Sequence, residues 1–458
     1  MKDDRKFMPE KSSTNGADPG VNAFLEAAIA GDQKEAARLL AEIPPTARAD
    51  IFVAAMTGEA AVVEEALQRD PAAAVRKGGP KNWDPLLYVS FSRFHQDGPE
   101  RAQGIIRVAR ALLANGADSN THYLEYFYQE NKLPALWAAT SEANHPALAR
   151  VLLEAGANPN DCESVYHAAE HNHREGLAVL LEFGANLSGP FQPWNNTPLF
   201  FILGHKPGNA AAARALQGAR WLLEHGADPN APSYEYEGRP IHLAAANGWE
   251  VELFEWLLRH GADINIRQKD GKTAYALAAR HGHVHAVEWL RQHGAQTALT
   301  ASDEFFAACS RGDEAAVKAL LERIPGLVQS LPEKEKRPFA TAATNDNAEA
   351  VRLMLLAGIP IDTRGECGET ALHFASWFGN IATVRILLAH GAPLEIKDTI
   401  YQATPLGWAC HGSENCRNPK GDYGAVVEAL LAAGAVSGEE FSGSEAVNEA
   451  LRRAREGR

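Results

Sequence analysis

The residues of this 458-residue chain that could do chemistry are mostly histidines. His167-Ala168-Ala169-Glu170-His171 reads H-x-x-E-H, a spacing that some zinc hydrolases use. On a helix the two imidazoles share one face, which suits two metal ligands with the glutamate between them as general base. A third ligand has to come from a neighbouring helix, about 10 Å away at packing distance. His205 is the nearest candidate. His167, Glu170, His171 and His205 therefore form the acid–base or metal alternative. Chance is the plainer account in a chain with 17 histidines, so no metal is expected. Cys410-His411 with Cys416 has metal-like residue types but no second pair of ligands. The chain has no G-x-S-x-G, no phosphate-binding glycine loop and no EF-hand loop. No catalytic residue is assigned, no cofactor is expected, and a binding module is favoured over an enzyme.

A net charge of −14 argues against nucleic acid, whose phosphates need a Lys/Arg surface. The plain meaning of the acidity is solubility; the sharper one is a basic protein or peptide partner. Met1 to Asn22 is hydrophilic, unlike a signal peptide, and no apolar run approaches the roughly 20 residues that span a bilayer, so no membrane partner is expected. Five scattered cysteines suit a reducing compartment. A cytoplasmic monomer is expected.

The elements that would position these residues announce themselves by repetition. Gly-Ala pairs close apolar segments at Gly116, Gly156, Gly184, Gly226, Gly261, Gly294, Gly391 and Gly434, each after a Leu-rich run. Each unit opens with a small-residue stretch such as Arg239-Pro240-Ile241-His242-Leu243-Ala244-Ala245 or Thr370-Ala371-Leu372-His373-Phe374-Ala375. Gly261 to Gly294 and Gly358 to Gly391 are both 33 residues apart. Pro in the first helical turn presets φ, Thr before it can cap, Ala pairs allow close packing, and Gly in the left-handed region ends the second helix.

These segments resemble the ankyrin repeat, whose signature starts T-P-L-H-x-A at a period near 33. The resemblance implies an all-α solenoid of about twelve stacked helix-turn-helix repeats with β-turn fingers. The expected organisation is a disordered leader (1–21), repeats one to eight (22–300), repeats nine to twelve (301–437) and a capping helix (438–458). The second block restarts the pattern of the first, since Gly312-Asp313 reaches Leu320-Leu321 and Ile324-Pro325 at the offsets of Gly31-Asp32, Leu39-Leu40 and Ile43-Pro44. Three repeats carry extra residues, Ser92–Gln103, Lys206–Leu216 and Ser413–Asp422, expected as loops on one face, often the binding face of a solenoid, or as tolerated surface loops.

Family members usually bind partners in the concave groove formed by the fingers and the inner face of each first helix. The groove candidates implied here are Tyr88, Trp137, His171, His205, Asn247, Trp249, Arg280 and His281, with Tyr234 and Tyr236 on a finger. Repeats three to six present an aromatic row beside a histidine row. Replacing Trp137 and His171 with Ala is expected to weaken partner capture without changing the melting temperature.

Overall fold

The computed structural model describes residues 18–124, 131–189, 195–205, 207, 210–233, 237–416, 418–438 and 441–456. It is an ankyrin-type stack of short helix pairs, arranged as two compact units, one up to Gly271 and one from Lys272 onward.

In the first unit the helix pairs run Pro19–Ala30 with Gln33–Glu42, Ile51–Thr57 with Ala60–Arg69, and Pro85–Ser90 with Pro99–Ala114. Ala135–Trp137 continues as π-type turns over Ala138–Glu142 and pairs with Pro146–Glu154. Ser164–Glu170 with Arg174–Glu182, Pro198–Ile202 with Ala210–Glu224, and Pro240–Asn247 with Val251–Arg259 complete the unit. Pro85, Pro146, Pro198 and Pro240 each take the first helical position, where the missing N–H costs nothing. The Thr197 hydroxyl accepts from the Phe200 N–H at 3.1 Å, as the cap at that position requires. Gly156 and Gly184 end second helices at φ 94° and 86°, a region that costs other residues strain.

The core of each unit is the stripe between successive pairs. Leu112, Leu152, Leu180, Leu222 and Leu257 are fully buried, each contributing about 2 kcal/mol of transfer free energy. Alanines on the first helices let backbones close in. Gly218 goes further, because a Cβ there would lie 1.8 Å from the Ala169 carbonyl oxygen. A ladder of asparagines adds polar register. The Asn120 amide donates to the Gly156 carbonyl (3.1 Å) and its oxygen accepts from the Asn158 N–H (2.8 Å). Asn160 repeats this with Gly184 and Asn186, and Asn230 with Gly261 and Asp263.

The insertions are not plain loops. Much of Ser92–Gln103 is a 3-10 turn (Phe94–Asp97) and the start of Pro99–Ala114; Ala210–Glu224 absorbs most of the second insertion; and Pro405–Asn415 carries the first helix of its pair into the third. Helix formation satisfies the extra backbone groups that a free loop would leave to water.

The second unit stacks Ala274–Arg280 with Val284–Gln292, Ala301–Ser310 with Glu314–Arg323, Pro338–Thr344 with Ala348–Leu356, Ala371–Trp377 with Ile381–Ala389, and Pro405–Asn415 with Tyr423–Ala432. A terminal helix, Glu445–Glu456, covers the last pair with Val447, Ala450 and Leu451. Its start is held by Asn448, which accepts from the Gly443 N–H at 3.0 Å.

Candidate functional site

Asp161, Ser164 and the periodicity of one short helix build a buried polar network in the first unit. The Asp161 carboxylate accepts from the Glu163 N–H (2.9 Å), the Ser164 N–H (2.8 Å) and the Ser164 hydroxyl (2.5 Å), which fixes the start of Ser164–Glu170. Glu163, His167 and Glu170 then fall at spacings of four and three, on one face. His167 Nδ1 lies 2.9 Å from Glu170 Oε2, and its Nε2 lies 2.9 Å from Glu163 Oε2. From the neighbouring pair, His205 brings Nε2 to 2.8 Å from Glu170 Oε1. Both carboxylates are buried, at 5% exposure each.

Aromatic rings surround this network. Trp137 meets His167 edge-on at 5.9 Å and Phe201 does so from the other repeat at 5.3 Å. The row continues from Trp137 to Phe91 (5.9 Å) and Tyr123 (6.3 Å), and from both to Trp83 (5.1 and 4.6 Å). Trp83, Tyr123 and Phe201 are half-buried. Tyr123 sits on an antiparallel finger hairpin, His122–Leu124 against Lys132–Pro134. Trp137 is held by an unusual backbone: the π-type turns after it end with the Ala143 N–H donating to Ala138 O at 2.8 Å, while Arg93 Nε donates to Glu142 O at 2.8 Å. Wide turns of this kind recur at functional sites.

Burial separates the sequence candidates. Tyr88 is fully buried, its hydroxyl donating to Gly78 O at 2.9 Å. Trp249 is buried, with Nε1 donating to Leu203 O at 2.9 Å. Arg280, in the second unit, lies 2.7 Å from Asp303 and 3.0 Å from Glu335, over the Phe306 ring. These three, expected as groove contacts, are packing residues instead, because interlocking neighbours cover faces that a single repeat would leave open. Trp137, 4% exposed, is largely a packing residue too. His171, His205, Asn247 and His281 remain half-buried. Asn247 donates to Leu203 O at 3.0 Å, and the His171 and His281 rings lie 5.3 and 6.3 Å from His173 and His283. Tyr234 and Tyr236 lie outside the described residues.

Glu163, Asp161 and Tyr123 were not among the candidates. Glu163 was legible, since it stands four residues before His167 on the same helix face; Tyr123 was not, because a finger residue has no helical period. Among the described residues no three His, Cys, Asp or Glu side chains are placed to hold a metal ion. The His-Glu contacts are hydrogen bonds that can hold or pass protons.

Several other buried histidines and cysteines are accounted for by packing. His242 Nε2–H donates to Ile266 O at 3.0 Å, and His373 Nε2–H to Ala403 O at 3.2 Å, each stitching one repeat to the next. Burial lowers both imidazoles to about 4, and lowers His145, stacked 4.2 Å from His95, to about 4 as well. Burial pushes the Cys309 and Cys410 thiols up to about 12, which makes them unreactive. A cavity of about 390 Å³ lies on the second helices, lined by Ile106, Arg110, Pro146, Arg150, Glu154 and Val179 among others, and includes no residue of the network. Among the described residues no helix is long and apolar enough to cross a membrane.

Comparison with known proteins agrees with the helix pairs. A family model described as ankyrin repeats matches in three copies, at residues 208–301, 305–398 and 339–435. A probable E3 ubiquitin-protein ligase, XBOS32 of Oryza sativa subsp. japonica, is 32% identical over 120 residues, which is 26% of this chain and 24% of the rice protein. The chain thus spans about a quarter of the length of that relative. A crystal structure of the human ASB11 ankyrin repeat domain is similar over 54% of this chain and 99% of that one, at 23% identity and a TM-score of 0.41.

Proposed function

This chain is an ankyrin-repeat protein, a generic scaffold for protein–protein interaction, and on that premise we propose that it captures a protein or peptide along the first helices and fingers of residues 83–249. The observation that supports this reading is the Glu163–His167–Glu170–His205 network beside half-buried Phe201, with half-buried Tyr123 next along the aromatic row past Trp137. A solenoid can be closed there with apolar residues at no loss, since a buried ionic network replaced by well-packed hydrophobic side chains is often as stable or more so. Ionisable groups retained at such a place fit a role in recognition, and half-buried aromatic rings beside them fit the anchors of a peptide interface.

The excess of carboxylates over Lys and Arg, 58 to 44, supports a basic partner. Five free thiols support a reducing compartment such as the cytoplasm. His171→Ala and Tyr123→Ala, at half-buried positions, should each reduce recovery of the partner at least tenfold in affinity capture while the melting temperature shifts little. Equal recovery with both variants would remove the groove assignment. The rival enzyme reading, with His167, Glu170 and His205 as acid or base, has the network's hydrogen bonds in its favour. It predicts turnover that is lost with Glu170→Gln.

A further inference from the structure

Two stacked imidazoles close the π-type turns that follow Trp137. His95 lies on the 3-10 turn Phe94–Asp97, and His145 stands at the start of Pro146–Glu154. Their ring centroids are 4.2 Å apart, with 30° between the planes. Arg93 ties the same two segments beside the stack, its Nε donating to Glu142 O at 2.8 Å. Two hydrogen bonds of the turns end here, from the Ala143 N–H to Ala138 O and from the His145 N–H to Ala139 O, each at 2.8 Å.

The hydrogen bonds fix where each ring carries its proton. His145 Nδ1 accepts from the Leu148 N–H at 3.4 Å, a donor it shares with His145 O at 3.0 Å, so the ring proton is on Nε2. The residue is 4% exposed, and among the described residues its Nε2 has no partner. His95 Nδ1 donates to Ser92 O at 3.2 Å. A second proton on His145 has only Nδ1 to go to. There it meets the Leu148 N–H donor to donor, breaks the cap and buries a charge against the other ring.

We propose that His95 and His145 form an acid-released clasp: with His145 neutral, the stack and the cap hold the turns that seat Trp137 in the aromatic row, and a proton on His145 Nδ1 frees them. The inference gives the proposed binding face a regulator and rests on that reading only for its consequence, since the clasp itself is a property of the free chain.

The surroundings set the same direction. Burial, and after it the charge of His95, lower His145 to about 4. On His95 burial outweighs the Ser92 and Asn144 carbonyls, which favour its charge, and lowers that ring too; Asp97 and Arg93 act on it with opposite signs. The elements packed against the pair carry Glu142 on the turns, Glu100, Arg101, Arg107 and Arg110 on Pro99–Ala114, Arg150 and Glu154 on Pro146–Glu154, and His173, Arg174, Glu175 and Glu182 on the next pair. The charge that acts on His145 is that of His95. The closed clasp therefore holds protons less tightly than the open chain, whose histidines titrate at about 6.5. Its closure is full above about pH 6.5 and is lost as pH falls toward about 4.

Hydrogen exchange on the full chain reads this directly. After correction for intrinsic rates, the amides of Ala143, His145 and Leu148 should be about 10- to 30-fold less protected at about pH 5 than at about pH 7.5. His145→Asn keeps a capping oxygen and cannot titrate, so it should remove most of that loss. If the variant does not fold, nitrogen-15 shifts of the wild-type rings decide: His145 should carry its proton on Nε2 and titrate below the ordinary histidine range. A loss of the same size in His145→Asn, a neutral His145 with its proton on Nδ1, or a His145 midpoint at or above about 6.5 overturns the clasp. Neither readout uses a partner, so its failure leaves the groove proposal standing, and loss of the groove proposal leaves the clasp standing.

Discussion

Replacing Glu170 tests whether the network is a built unit. The carboxylate is 5% exposed and serves two imidazoles, at 2.9 Å to His167 and 2.8 Å to His205. Glu170→Ala removes both contacts and leaves His205 and one nitrogen of His167 facing a small cavity. Hydrogen bonds to a charged group are worth about 1.5–3 kcal/mol each, so the loss should be about 3–5 kcal/mol. Glu170→Gln should cost far less. Its oxygen can still accept from His205, and its NH2 can donate to His167 Nδ1 once that ring keeps its proton on Nε2, toward Glu163. Exchanging charged for neutral hydrogen bonds then costs about 1 kcal/mol. Urea unfolding followed by tryptophan fluorescence and by helical circular dichroism measures both. The reasoning is refuted if Ala costs less than about 1 kcal/mol, or if Gln costs as much as Ala.

Other outcomes follow from the same structure. Trp137→Ala should destabilise by about 3–5 kcal/mol, visible as a lowered melting temperature, because the ring is 4% exposed. The change first expected to probe binding alone would thus confound it. Gly218→Ala should destabilise by about 2 kcal/mol or more in urea despite the better helix propensity of alanine, because its Cβ would lie 1.8 Å from Ala169 O and force apart the helices that carry Glu170 and its neighbours. Acid should weaken both units. His145, His242 and His373 are held near 4 by burial, so the stability that they contribute is full above the unfolded value of about 6.5 and is lost as pH falls from there toward 4. At about pH 5 the loss is about 2 kcal/mol for each histidine. His242→Gln and His373→Gln should flatten the dependence of the melting temperature on pH.

The helix pairs were legible because each repeat writes its own landmarks locally: Pro at a first turn, Leu pairs and a Gly that ends the second helix. The contact of His205 with Glu170 was also legible, as the period brings equivalent faces of successive repeats together. Burial was not. Position within a repeat tells which way Tyr88, Trp249 and Arg280 point, but not that Gly78, Leu203 and Asp303 close over them. The π-type turns after Trp137 have a readable cause. Ala139 to Asn144 is two residues longer than the equivalent Ala169 to Asn172, and the wider turns absorb the surplus. The Asp161 turn escaped notice because no glycine marks it; a cysteine takes the left-handed position.

Partner capture on the first-helix face is the central claim, and site-directed photo-crosslinking tests it most directly. A photoreactive residue placed at Tyr123 or His171 in the full chain, and in parallel at the exposed second-helix positions Glu154 or Glu255, reports which face the partner touches. Adducts to one partner from Tyr123 and His171, with none from Glu154 or Glu255, are the predicted result. Adducts from the second-helix positions alone would contradict it.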